Sequence, residues 1–365
     1  MNPLLNNDKV LEIIEKYFCK KTKEVKEEDI YSKKDIKYAE KIFRINVHKD
    51  CPICKSRENV IKYGKSKNGM QRYRCKRCSK NFSDITGSPL SYSKKPINLW
   101  IKYMFCIKEK LTLRKIAEIL NIDLKTAFHW RHKILSVVGT KIMNKKLFNM
   151  EISEIKIKES FKGNHSINKN FQMARIDKES YRLNGQILKR KNIIILNCKD
   201  EKDNKFIKPS TRNSSINKEI LNAVLKPIIN KESNYISVSR DWTYFYFAKE
   251  NNMKVKISAA MGFNTKYFKK LVILNTEGPH NKQVRKIGIE FKLFLRSFHN
   301  VASKYLSFYI NWFVSTLEET NIAFGLFRKF ITGKKQLRVE DFKMVNYKGE
   351  ILRDDKPHGG VACKF

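Results

Sequence analysis

Hydrophobic residues recur in this chain with two different periods. Between residues 97 and 135 they return every three or four positions, as on one face of a helix. From residue 150 onward they alternate with polar residues or run unbroken, as in strands. Residues 97–107 read as a helix with Trp100, Tyr103 and Met104 spaced for burial. Residues 111–120 read as a second helix with Thr112 as its cap, Asn121-Ile-Asp123 as a tight turn, and residues 124–135 as a third helix capped by Asp123. Farther on, strands are predicted over residues 151–158, 192–198 and 235–239, with a short one at Phe206 and a last one over 255–258. Helices are predicted over 216–229 and 244–251, then a long helical region over 284–316. Hairpin strands followed by alternating helix and strand predict an α/β domain with a mixed central sheet. Before all of this, residues 10–18 and 36–45 show helical patterns that carry no chemistry of their own.

The cysteines change the picture. Cys51-Pro-Ile-Cys54 and Cys75-Lys-Arg-Cys78 are two CxxC pairs about twenty residues apart, in a chain whose other cysteines occur singly. Zn²⁺ takes four thiolates in a tetrahedron, and each CxxC turn presents two, so the spacing predicts a structural Zn²⁺ site. Between the pairs, Asn59-Val-Ile-Lys-Tyr-Gly64 and Gln71-Arg-Tyr-Arg74 alternate apolar with basic residues as two short strands, which makes the unit a zinc ribbon. Redox-active or disulfide-bonded pairs are the alternative, and a structural disulfide needs an oxidising compartment.

Charge points to the partner. The chain holds 76 Lys and Arg against 36 Asp and Glu, a net +40, so a polyanion is expected. Residues 51–150 concentrate it, with 23 basic side chains against 5 acidic ones. In the helix over 124–135, Ala127, Trp130 and Ile134 share a core stripe, leaving Lys125, Thr126, His129 and Lys133 opposite. Two helices across a tight turn, with Ala117 small enough for close approach, are predicted to form a helix-turn-helix whose second helix enters the major groove of double-stranded DNA. Arg131 is placed among the DNA contacts with those four, as are Arg72, Arg74 and Arg77 of the ribbon. A plain helical hairpin is the alternative.

From Cys51 to Val314 the chain resembles a bacterial insertion-sequence transposase of the kind with an N-terminal zinc ribbon, a helix-turn-helix and a ribonuclease-H-like DDE domain. The resemblance rests on the two cysteine knuckles, Leu113-Arg-Lys-Ile-Ala117, Lys125-Thr-Ala-Phe-His-Trp-Arg-His132, Glu159-Ser-Phe-Lys-Gly-Asn164, Phe247-Ala-Lys-Glu-Asn-Asn252 and Phe298-His-Asn-Val-Ala-Ser-Lys-Tyr-Leu306. It implies two metal ions held by carboxylates on adjacent strands and on the last helix. By the register of these motifs, the three ligand positions are occupied by Ser153, Ser239 and Arg285, with Gly288 where a histidine is expected. A serine hydroxyl is neutral and an arginine opposes a divalent cation, so Mg²⁺ is not expected unless the site is rebuilt. A shifted triad of Glu151, Asp241 and Glu290 keeps an active transposase open as an alternative, and a dominant-negative partner of an active related transposase is another.

These readings combine into an α/β multidomain chain. Residues 1–48 form a helical segment, 49–92 the zinc ribbon, 97–140 the helix-turn-helix, 150–318 the ribonuclease-H-like α/β domain with a mixed sheet, and 319–365 a C-terminal tail. The expected function is sequence-specific binding of double-stranded DNA without cleavage, in transcriptional or recombination regulation, by a homo-oligomer in the bacterial cytoplasm on the nucleoid. The aromatic residues of the last helices are expected in the core or at an oligomer interface. No apolar run approaches the roughly 20 residues that cross a bilayer, so no membrane is expected.

Overall fold

The structure is a computed structural model that describes residues 30–46, 50–67, 69–138, 146–160, 174–175, 180–183, 186–189, 191–211, 215–238, 242–258, 272–275, 282–298, 301–318, 325, 328 and 330–331. The helix expected over 10–18, the C-terminal tail over 319–365 apart from residues 325, 328, 330 and 331, and Ser239 and Asp241 lie outside them. The chain divides into two compact units, one drawn from Met1–Thr140 and Ser315–Met344, the other from Lys141–Val314 and Val345–Phe365.

In the first unit, helix α1 (Lys33–Asn46) is followed by a three-stranded antiparallel sheet of β1 (Val60–Lys65), β2 (Gln71–Cys75) and β3 (Asn81–Ser83), in that order. Period-two alternation sorts its side chains. Val60, Tyr73, Cys75 and Phe82 pack inward with Cys51, Cys54 and Cys78, while Arg72 and Arg74 point out. Asp84 ties the sheet's end, accepting the Gln71 N–H at 3.1 Å and the Tyr73 hydroxyl at 2.9 Å. Three helices follow: α2 (Ile97–Lys108), α3 (Leu113–Ile119) and α4 (Leu124–Val138). Trp100 of α2 stacks on Trp130 of α4 with centroids 3.7 Å apart, and the Tyr103 hydroxyl donates to the Ala127 carbonyl. Thr112 caps α3 by accepting the Lys115 N–H at 3.4 Å. Asp123 caps α4 by accepting the N–H groups of Lys125 and Thr126 at 2.7 and 3.3 Å. Between them Asn121 takes a left-handed φ of 47°, which turns the chain within a few residues.

The second unit is built on a six-stranded sheet. Its strands are β4 (Met150–Lys158), β8 (Asn192–Lys199), β9 (Lys205–Thr211), β10 (Tyr235–Ser237), β11 (Lys254–Ser258) and β12 (Val272–Asn275). Between β4 and β8 in the chain lies a small antiparallel sheet of β5 (Ala174–Arg175), β6 (Ser180–Leu183) and β7 (Gln186–Lys189). The large sheet has the order β12-β11-β10-β4-β8-β9. Within it β4, β8 and β9 form an antiparallel meander, and β10, β11 and β12 run parallel to β4. Strand β12 was not anticipated, since four residues give too short a pattern to separate from a loop. On one face Met150, Ile152, Leu196, Ile236 and Val255 form a core with helices α5 (Lys218–Leu225) and α6 (Trp242–Glu250). Helix α5 is shorter than its apolar pattern because Pro227 cannot continue it. Helix α7 (Lys282–Arg296) lies against β4 and β8, so close at Gly288 that a Cβ there would meet Ile155 Cγ1 at 3.2 Å. The helical region expected over 284–316 is α7 and α8 (Leu306–Glu318), parted by a short 3₁₀ turn at Ser303–Tyr305. Phe291, Phe294, Tyr305 and Trp312 are all buried within this unit, Phe294 edge-on to Trp312 at 5.1 Å. Core packing is therefore their role.

Candidate zinc centre and nucleic-acid interface

The two cysteine pairs fold alike. In each, the residue after the second cysteine is left-handed, Lys55 at φ 59° and Ser79 at φ 55°. The N–H of each first cysteine donates to a carbonyl five residues on, Cys51 to Ser56 at 2.9 Å and Cys75 to Lys80 at 3.0 Å. Each turn thus aims two sulfurs at the other turn, and the Lys76 N–H locks them by donating to Asn59 at 2.7 Å.

All four Sγ atoms lie within 4.8 Å of one another, and they are the only such group of His, Cys, Asp or Glu among the described residues. Cys51 to Cys78 and Cys54 to Cys75 are each 3.5 Å apart. Tetrahedral zinc with Zn–S bonds of about 2.3 Å holds its sulfurs roughly 3.8 Å apart, so the cluster is already near the right size. Its protons are unevenly shared. Burial pushes the Cys51 thiol up, but the N–H groups of Cys54 and Ile53 and the neighbouring thiols outweigh it and bring Cys51 down to about 6. The N–H of Cys78 leads in lowering Cys75 against burial. Cys78 goes the other way: the Lys80 N–H pulls it down, yet burial and the bonds to Cys51, Cys54 and Cys75 push it up to about 11. Sulfurs that give up a proton readily, beside one that holds its proton until ligation, are the donor set for a divalent, thiophilic cation. Cys51, Cys54, Cys75 and Cys78 hold a structural Zn²⁺.

The residues assigned to DNA contact are not equivalent. Lys125 is exposed at the start of α4, and Thr126 and His129 are half-buried, with the His129 ring 5.9 Å from that of Phe128. Lys133 is also half-buried, its Nζ over the Trp100 ring at 5.9 Å from the centroid, a cation–π distance. Arg131 is a correction. It is 1% exposed, and its guanidinium donates to the Leu111 carbonyl at 2.6 Å, tying α4 to the loop before α3. A buried guanidinium committed to a backbone carbonyl does not reach DNA. In the ribbon, Arg72, Arg74 and Arg77 are all exposed.

On the second unit, Ser153 sits midway along β4 on the face covered by α7. It accepts a hydrogen bond from Asn197 Nδ2 at 3.4 Å, and the same amide donates to the Val284 carbonyl at 2.6 Å. Asn197 is fully buried. It is a residue sequence reasoning passed over, although it is the polar position inside the apolar run Ile193–Cys198. Arg285 is exposed on α7, and Gly288 faces Ile155 and Asn197. Glu151 and Glu290 are half-buried.

Residues 44–79 match a family described as the InsA N-terminal domain, a zinc ribbon. The chain is 28% identical over 114 residues to an uncharacterized protein in transposable element ISH50 of Halobacterium salinarum, a match that takes in 31% of this chain. The chain spans 38% of the length of that relative. No solved structure matches the chain. The sequence is thus transposase-like at its zinc ribbon, and no helix among the described residues is long and apolar enough to cross a membrane.

Proposed function

We propose that this chain is a sequence-specific binder of double-stranded DNA, built on the frame of an insertion-sequence transposase and no longer cutting its target. The single observation that carries the reading is the seat of Ser153. Where the resemblance expects a carboxylate for a divalent cation, a neutral hydroxyl accepts from a fully buried amide that is itself committed to α7. Two-metal phosphodiester chemistry needs anionic oxygen ligands, and this position offers none.

Other features support the frame. The order β9-β8-β4-β10-β11, with a leading antiparallel meander and parallel strands beyond, suits a ribonuclease-H-like domain over 150–318. Helices α3 and α4, capped by Thr112 and Asp123 across a left-handed Asn121, suit a helix-turn-helix over 97–140. The exposed side chain of Lys125, with Thr126 and His129 beside it, opens α4 toward a groove. The zinc ribbon over 49–92 adds Arg72, Arg74 and Arg77 for phosphate contact.

A map of where the protein sits on DNA in its own cell, by crosslinking and immunoprecipitation, tests the role. Peaks at promoters are expected for a regulator. Peaks confined to inverted repeats at transposon ends would assign it to transposition instead.

A further inference from the structure

The outer face of the ribbon carries a feature that duplex phosphate contact does not use. Tyr63 of β1 stands on this face, 45% exposed, with the guanidinium groups of Arg72 and Arg74 over its ring, their Cζ atoms 5.7 and 5.8 Å from the ring centroid. Ile61, two residues earlier on the same strand and paired across to Arg74, is 38% exposed beside them. The register between β1 and β2 slips between Lys62 and Lys65. Gly64 makes the slip possible with φ +69°, and its carbonyl is held by Gln71 Nε2 at 2.8 Å. A bulge of this kind re-aims the side chain it carries, and here that side chain is Tyr63.

Lysine and arginine supply the charge that meets phosphates, and a tyrosine hydroxyl can add a hydrogen bond, but the face of the ring and an aliphatic neighbour add nothing to that contact. A half-exposed ring with two guanidinium groups over it matches a different ligand: a base free of its partner, which stacks on the ring as the guanidinium groups move from it to the flanking phosphates. The core of the ribbon does not need this ring, because Tyr73, Phe82 and the cysteines pack on the opposite face. We infer that the Tyr63, Arg72 and Arg74 face of the ribbon binds single-stranded DNA through base stacking on Tyr63. The inference rests on the reading of the chain as a DNA binder and adds a second, strand-separated substrate to it. A protein so equipped grips frayed or unpaired DNA beside the duplex site that α4 reads.

Fluorescence anisotropy with the zinc-loaded full chain tests this, using a labelled oligothymidine, which has no base pairing of its own, and a duplex of equal length at the same salt concentration. Stacking of one base on one ring is worth roughly tenfold in affinity. Tyr63→Ala is expected to lose about that much for oligothymidine and less than threefold for the duplex, while Tyr63→Phe, which keeps the ring, binds both as the parent does. Lys125→Ala should show the opposite preference and weaken the duplex more. Zinc content measured on each variant keeps a misfolded ribbon from passing as a lost contact. Equal losses on both ligands in Tyr63→Ala, or no loss on oligothymidine, would overturn the inference while duplex binding by the parent leaves the DNA-binding reading standing. A parent chain that binds neither ligand would overturn both.

Discussion

Asn197 reaches across from β8 to the hydroxyl of Ser153 on β4, its Nδ2 3.4 Å from the serine oxygen and 2.6 Å from the Val284 carbonyl of α7. Its buried Oδ1 has no hydrogen-bond partner among the described residues. The pair therefore depends on an N–H donor facing a backbone carbonyl. Asn197→Asp replaces that donor by a buried acceptor and should cost about 3 kcal/mol or more, whereas Asn197→Leu, which only removes the bond, should cost about 1–2 kcal/mol. Urea midpoints of the two variants check the order. Equal midpoints would mean that the amide does not hold α7 to the sheet.

The ribbon stands or falls with its metal. Cys54→Ser should abolish stoichiometric zinc and remove the protection of ribbon amides from hydrogen exchange, because metal affinity is folding free energy in a site of this kind. Chelation of the parent should do the same. Protected ribbon amides in a zinc-free sample would contradict the four-thiolate centre.

Two basic residues six positions apart on α4 should behave as opposites. Arg131→Ala removes a buried charged donor from the Leu111 carbonyl and should lower stability by about 2–3 kcal/mol. Lys125→Ala, at an exposed position, should stay within about 0.5 kcal/mol of the parent yet reduce the slope of log affinity against log salt by about 1. Thermal melts and salt titrations of binding read the two effects separately, and an unchanged slope in Lys125→Ala would remove it from the interface.

This contrast shows what was legible in the sequence. The core stripe of α4, with Ala127 and Ile134, was read from spacing, and all its members are buried. Arg131 lies four residues after Ala127 and three before Ile134, on that same stripe, so the period already placed it inside. The chemistry of arginine argues for the surface, but the bond to the Leu111 carbonyl satisfies the guanidinium inside. The caps at Thr112 and Asp123 and the four cysteines were legible because each is a local rule at fixed spacing. Strand β12 and the Asn197 bridge were not, since both depend on partners 17 or more residues away that no local pattern names. The bulge at Gly64 falls between the two: the glycine is visible in sequence, but the aim of Tyr63 follows only from the register across to β2.

Alkaline pH should reach the ribbon through Tyr73. Burial first, then the hydrogen bond to Asp84, push its phenol up from 10.0 to about 12. The folded ribbon favours the protonated form, so this stabilisation is whole below pH 10, where the unfolded chain is protonated too, and is lost as pH rises through about 12. Absorbance titration of tyrosinate in the parent and in Tyr73→Phe should reveal one late-ionising phenol that the variant lacks. Ionisation of Tyr73 near 10 would mean that its phenol is neither buried nor bonded to Asp84 in solution.

The most direct test of binding without cutting is a footprint on a duplex recovered by selection from random sequence, run with end-labelled strands in the presence of Mg²⁺ or Mn²⁺. A bounded region of protection on a preferred sequence, with both strands intact, is the predicted result. Metal-dependent nicks at the edge of the footprint, or even protection of every sequence alike, would contradict it.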